Sequence, residues 1–194
     1  MKNILFTTLL VASLSATSAY ANEVYSNNGV TMAVPSVSTE AAQNLTLCLE
    51  SDAQLASSKA IRACSKAYKA SIPSYNVRSA ILTRRGVLQL SAGRFDKAAR
   101  DFKTAGKLSA VNEFAYLGQG YAAMMNQDYA AAMQYFEDCK SHNTAAPLAY
   151  YGLAMTKELA GDKAGAFRAY QAATKLRPDW QAPLEELKRF QTST

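Results

Sequence analysis

From Ser38 onward, apolar residues fall at intervals of three and four, the spacing of an amphipathic helix. Ser38 or Thr39 is placed to cap a first helix running to about Asp52, and a second spans roughly Leu55 to Ala70, stopped by Ser71-Ile72-Pro73. Further on, Phe95, Ala98, Ala99, Phe102 and Ala105 draw one apolar stripe that predicts an inward helix face. Trp180, Leu184 and Leu187 mark a last stripe, with Glu185, Glu186, Lys188 and Arg189 largely away from it. Before Ser38 the pattern is different. Lys2, the apolar run Ile4 to Leu14 and Ala19-Tyr20-Ala21 have the form of an export signal cleaved near Ala21, too short to span a bilayer. Residues 22–38 carry Asn-Gly and Pro breakers and read as a flexible arm.

The stripes recur. Gly86, Ala98, Phe102 and Ala105 are followed 34 residues later by Gly120, Ala132, Phe136 and Cys139. Another step of 34 reaches Ala154, Ala166, Tyr170 and Ala173. Phe95 maps onto Tyr129, and Leu82 onto Tyr116 and Tyr150. Small residues stand where two helices must approach closely, and bulky ones where the gap between hairpins must be filled. Gly93 and Gly161 fall at the expected turns inside two hairpins, where a helix commonly ends at positive φ.

This pattern resembles the tetratricopeptide repeat (TPR) family, whose unit carries a Gly, then Ala-x3-Phe, then Pro. Gly86 with Ala98 and Phe102, Gly120 with Ala132 and Phe136, and Ala166, Tyr170 and Pro178 carry the resemblance. Arg85 and Gln119 depart from it, standing where the family has Leu. The resemblance implies an all-α fold: a short right-handed superhelical α-solenoid of about three hairpins, 79–112, 113–146 and 147–180. A degenerate hairpin at 39–72 would precede them, and a capping helix with a tail, 181–194, would follow. Cys48 followed by the Ala60–Ala67 helix is similar to the lead-in of exported bacterial members. In an oxidising compartment Cys48 and Cys64 can pair, and the resemblance implies a disulfide stapling the exposed end of the array.

The family holds its ligands on the concave side, along the first helix of each unit. Carried onto this chain, the groove positions are Thr83, Arg84, Val87, Leu117, Tyr121, Met124, Tyr151 and Met155, flanked by Phe114 and Met125. Aromatic and Met side chains there suit a peptide with apolar anchors, and the same residues also suit packing against neighbouring helices. The carboxylate clamp of some members needs Lys and Asn; Thr83, Val87, Gly118 and Gly152 stand in those places, so a chaperone-tail receptor is not implied.

Charge adds a second candidate surface. The chain carries a net +6, but Ser58 to Leu108 alone holds twelve Lys or Arg against Asp96 and Asp101. Lys59, Arg62, Lys66 and Lys69 form one stripe, and Lys97, Arg100, Lys103 and Lys107 repeat its spacing on the next second helix. This outward basic patch is either a solvated face or a contact for an anionic envelope component or an acidic partner. Nucleic acid is not an expected ligand, since the chain reads as exported and offers no base-stacking surface.

Chemistry finds little support. His142 is the single histidine, which excludes a metal site built on several imidazoles. Cys139 and His142 could share a helix face as a nucleophile pair, but Cys139 takes the slot of Ala105 and Ala173, and we read it as a small buried position. No phosphate-cradling Gly loop, haem motif or nucleophile elbow is present, and Asn44-Leu45-Thr46 is a lone glycosylation match. The expectation is therefore a periplasmic or secreted scaffold without a catalytic residue or cofactor, which binds a protein or peptide.

Overall fold

The computed structural model describes residues 38–51, 58–70, 74–141 and 145–192. The export signal, its cleavage near Ala21, nearly all of the N-terminal arm, the Ser71-Ile72-Pro73 breaker and His142 lie outside them. Among the described residues there are nine helices and no strand. They are α1 (Thr39–Glu50), α2 (Ser58–Lys69), α3 (Tyr75–Ser91), α4 (Phe95–Leu108), α5 (Glu113–Met125), α6 (Tyr129–Cys139), α7 (Ala146–Leu159), α8 (Lys163–Leu176) and α9 (Gln181–Thr192). Two compact units divide between Ala115 and Tyr116.

Local chemistry sets the helix ends. Ser38 is the cap of α1, its Oγ accepting from the Ala41 amide at 3.3 Å. Ser74 caps α3 in the same way through the Val77 amide, so this helix begins before Ser79, the first residue of the repeat unit. The turns α3–α4, α5–α6 and α7–α8 share one geometry. Gly93 and Gly161 have φ of 69° and 90°, and Gln127 occupies the equivalent place at 64°. Around each, the two amides bond back in the Schellman pattern: Arg94 to Gln89 and Gly93 to Leu90, Asp128 to Ala123 and Gln127 to Met124, Asp162 to Lys157 and Gly161 to Glu158. Asp128 and Asp162 then cap the following helices, their carboxylates accepting from the amides of Ala131 and Gly165. Arg94 makes no such side-chain bond.

In the first unit, α1 and α2 are joined by the Cys48–Cys64 disulfide, with Cα atoms 4.7 Å apart. Both sulfurs are buried in a cluster with Leu45, Ile61, Ala67, Ile81 and Leu88, which brings α3 onto the same core. A buried polar chain ties the last residue before α5 back to α3. The Asn112 amide donates to Ser79 Oγ at 2.7 Å and to Thr83 Oγ1 at 2.9 Å, while Ser79 Oγ donates to the Ala105 carbonyl at 2.8 Å. Asn112 Oδ1 meanwhile accepts from the Ala115 amide and so caps α5.

The recurring residues occupy matching interior positions. Ala98, Ala132 and Ala166 are fully buried, as are Phe102, Phe136 and Tyr170 or nearly so. The reason for Gly at the eighth position is steric. A Cβ on Gly86 would stand 2.7 Å from the Phe102 ring, and one on Gly120 would stand 2.7 Å from the Phe136 ring. Gly152 meets Phe136 more closely still, at 2.5 Å, so this ring is pressed between glycines of α5 and α7.

In the second unit, aromatic rings run from the last hairpin into the closing helix. The Tyr151 ring lies 5.6 Å from Tyr170 and 4.8 Å from Trp180, and Tyr170 lies 6.0 Å from Phe190. Arg189 and Glu186, which the stripe of α9 places away from the apolar side, turn out to help dock it. The Arg189 guanidinium donates to both oxygens of Glu158 on α7 at 2.7 Å and also pairs with Glu186.

Candidate partner-binding surface

The groove residues of the first helices are all interior. Thr83 and Arg84 are 5% and 4% exposed, and Val87, Phe114, Leu117, Tyr121, Met124, Tyr151 and Met155 are exposed by 2% or less. Their side chains are packed in the interior. Thr83 is engaged by Asn112. Tyr121 donates its hydroxyl to the Leu148 carbonyl at 3.3 Å and sets its ring edge-on to Phe136, 5.0 Å away. Burial pushes the Tyr151 and Tyr170 phenols upward, with carboxylates nearby acting in the same direction. The physical reason is one of period: a helix held between two neighbours has little face left over, and its largest side chains go inside.

The same helices become accessible in their last turn. Leu159, at the end of α7, is 43% exposed. Met125, one repeat earlier at the end of α5, is half-buried, and Ser91 is the half-buried equivalent at the end of α3. Sequence reading had only a weak signal for these positions, because Met125 and Leu159 continue the apolar pattern of residues that are buried.

The basic stripes face outward. Lys59, Arg62, Lys66 and Lys69 on α2, and Lys97, Arg100, Lys103 and Lys107 on α4, are all exposed. Lys66 pairs with Glu40 of α1 at 3.0 Å. Beneath them, Arg85 joins the two helices from α3. Its guanidinium donates to both oxygens of Asp101, at 2.6 and 2.8 Å, and to Ser65 Oγ at 3.1 Å. The bonds to Asp101 raise the Arg85 pKa against the opposing effect of burial. A charged side chain thus fills a position where the repeat pattern expects Leu, and Asp101 is its reason for being there.

No group of three or more His, Cys, Asp or Glu among the described residues could hold a metal ion. Cys139 is a buried thiol in the position matching Ala105 and Ala173, and its proposed partner His142 lies outside the described residues. Asn44 lies within α1 and donates its amide to the Glu40 carbonyl at 2.8 Å. No helix among the described residues is long and apolar enough to cross a membrane.

Helical hairpins repeating every 34 residues, with Gly and Ala admitting bulky rings from the facing helix, define the fold of tetratricopeptide-repeat proteins. Solved structures share it. YrrB, described as a TPR protein with an unusual peptide-binding site, superposes with a TM-score of 0.62 at 15% identity, covering 95% of this chain and 90% of its own. A MamA structure matches with a TM-score of 0.60 at 21% identity, over 76% of this chain and 79% of that one. MamA from Desulfovibrio magneticus RS-1 gives 0.60 at 18% identity, covering 78% and 84%. No protein-family model and no curated protein matches the sequence.

Proposed function

We propose that the chain is a non-enzymatic scaffold, exported to the periplasm after cleavage near Ala21, that holds a protein or peptide partner. The observation that carries this reading is the fold itself. Tetratricopeptide hairpins present helix ends and faces to other chains, and YrrB, with the same fold, has a peptide-binding site. The groove residues named from the sequence act as the packed floor of this surface. Accessible positions at the ends of the first helices, Met125 and Leu159, supply apolar contact points for the partner.

Site-specific photo-crosslinking in cells tests this directly. Crosslinkers at Met125 and Leu159 are expected to capture the same discrete partner, while one at the exposed Arg168 on α8 captures none. An identical background from all three positions would contradict the proposal. Substituting Tyr121 or Tyr151 is a poorer test, because both are buried and their loss disturbs the fold first.

A second reading rests on the exposed basic stripes of α2 and α4, which suit an anionic envelope component or an acidic partner.

A further inference from the structure

The basic-face reading can be carried to a ligand class. We infer that the outer faces of α2 and α4 together form a peripheral docking surface for an anionic phospholipid bilayer.

Three observations support it. First, the two stripes lie on neighbouring helices of one compact unit, because the single guanidinium of Arg85 reaches Ser65 on α2 and Asp101 on α4. Each stripe covers about 15 Å of helix, at 1.5 Å per residue. Second, the orientation of both helices is fixed from behind. The Cys48–Cys64 bridge and buried Ala60, Ala63 and Ala67 prevent α2 from rolling, and buried Ala98, Phe102 and Ala105 hold α4. Third, the exposed face is almost wholly cationic. The exposed residues of α2 are Ser58 and the four bases, and those of α4 are its four bases with Asp96 and Thr104. Among the described residues, the Lys66–Glu40 ion pair is the one that engages these eight cations.

The composition selects the ligand. Protein interfaces are depleted in Lys and built around apolar or aromatic anchors. Six of these eight bases are Lys, and no apolar side chain is exposed on either helix. A plane of anionic headgroups requires no anchor and responds to the number of cations brought near it, about fivefold in partitioning for each. With no apolar side chain exposed on either helix to insert, these faces would rest at headgroup depth and be released by salt.

Vesicle co-sedimentation of the full chain tests the inference, using phosphatidylcholine alone and phosphatidylcholine mixed with phosphatidylglycerol. The leader, with Lys2 and its apolar run, is the same in wild type and in every variant, so comparing variants on one lipid isolates the basic face. Wild type is expected to favour the anionic vesicles, and to lose that preference as salt rises to about 0.5 M. Replacing Lys59, Arg62, Lys66 and Lys69 by Gln should lower the preference about a hundredfold or more. Replacing Lys163, Arg168 and Lys175, exposed on α8, should leave most of it. Should the fourfold variant lose helicity, the single reversals Lys69→Glu and Lys103→Glu provide the same comparison. Equal loss from both sets of substitutions, or no preference in wild type, overturns the inference. Salt-sensitive binding to polyglutamate without binding to anionic vesicles would also overturn it, but leave the basic face as a site for an acidic protein. Failure to bind either would remove both.

Discussion

Individual side chains in this fold have consequences that can be measured one at a time. Gln127 takes the left-handed conformation that its counterparts Gly93 and Gly161 adopt without steric cost. Gln127→Gly should therefore raise stability, by about 1 kcal/mol in urea denaturation. Gly120→Ala and Gly152→Ala should do the reverse and cost about 1–3 kcal/mol each, because the new Cβ meets the Phe136 ring, which is itself packed on both sides. Removing Arg85 by substitution with Met would leave the buried Asp101 carboxylate without its partner, with an expected loss of about 2 kcal/mol or more. These positions also show where sequence reading was effective. Gly93 and Gly161 could be found because glycine announces a left-handed turn. Gln127 could be found only by stepping 34 residues, since its side chain carries no such signal. Arg85 was visible only as a departure, because its partner Asp101 is sixteen residues away and becomes a neighbour only when α3 and α4 fold together.

Helices and hairpins gain or lose stability together. The Cys48–Cys64 bridge closes a loop with a sequence separation of 16 and ties the first hairpin at the end of its unit. Reduction should lower the melting temperature, with a loss of about 3 kcal/mol on the chain-entropy model. At the other end, α9 is docked by rings and by the Arg189–Glu158 pair. The Tyr151 and Tyr170 phenols beneath it ionise later in the folded protein than in the unfolded chain, where the ordinary value is 10. Above pH 10 the unfolded chain gives up these protons while the folded protein keeps them, so the difference disfavours the native state: unfolding releases protons, and stability should fall as pH rises through 10 and beyond. Absorbance at alkaline pH should show these two phenols ionising only as the helix signal is lost. The elements themselves were legible from spacing, and the disulfide from the family resemblance. The start of α3 was less so, because Ser74 caps it before the repeat begins. The ion pair that docks α9 was not legible either, since exposed Glu and Arg look alike whether or not they meet a partner.

At the scale of the whole molecule, the side chains of the described residues are spent largely on packing. Among the described residues, the rings of Phe102, Tyr121, Phe136, Tyr151 and Tyr170 are inside, buried Ser79, Thr83, Asp101 and Asn112 tie helices to one another, and the exposed cations of α2 and α4 form stripes. The groove residues were the least legible feature. A first-helix side chain that packs and one that greets a partner follow the same period, and only burial separates Met155 from Leu159. The account rests on Ala98, Ala132 and Ala166 being the same position three times over. The direct test is to measure the unfolding free energy of Ala98→Leu, Ala132→Leu and Ala166→Leu separately. Each is predicted to lower stability by about 1–3 kcal/mol, since each places the same excess volume into a closed helix contact. If one of the three accepts Leu at no cost while the others do not, the positions are not equivalent and the repeat does not organise the fold.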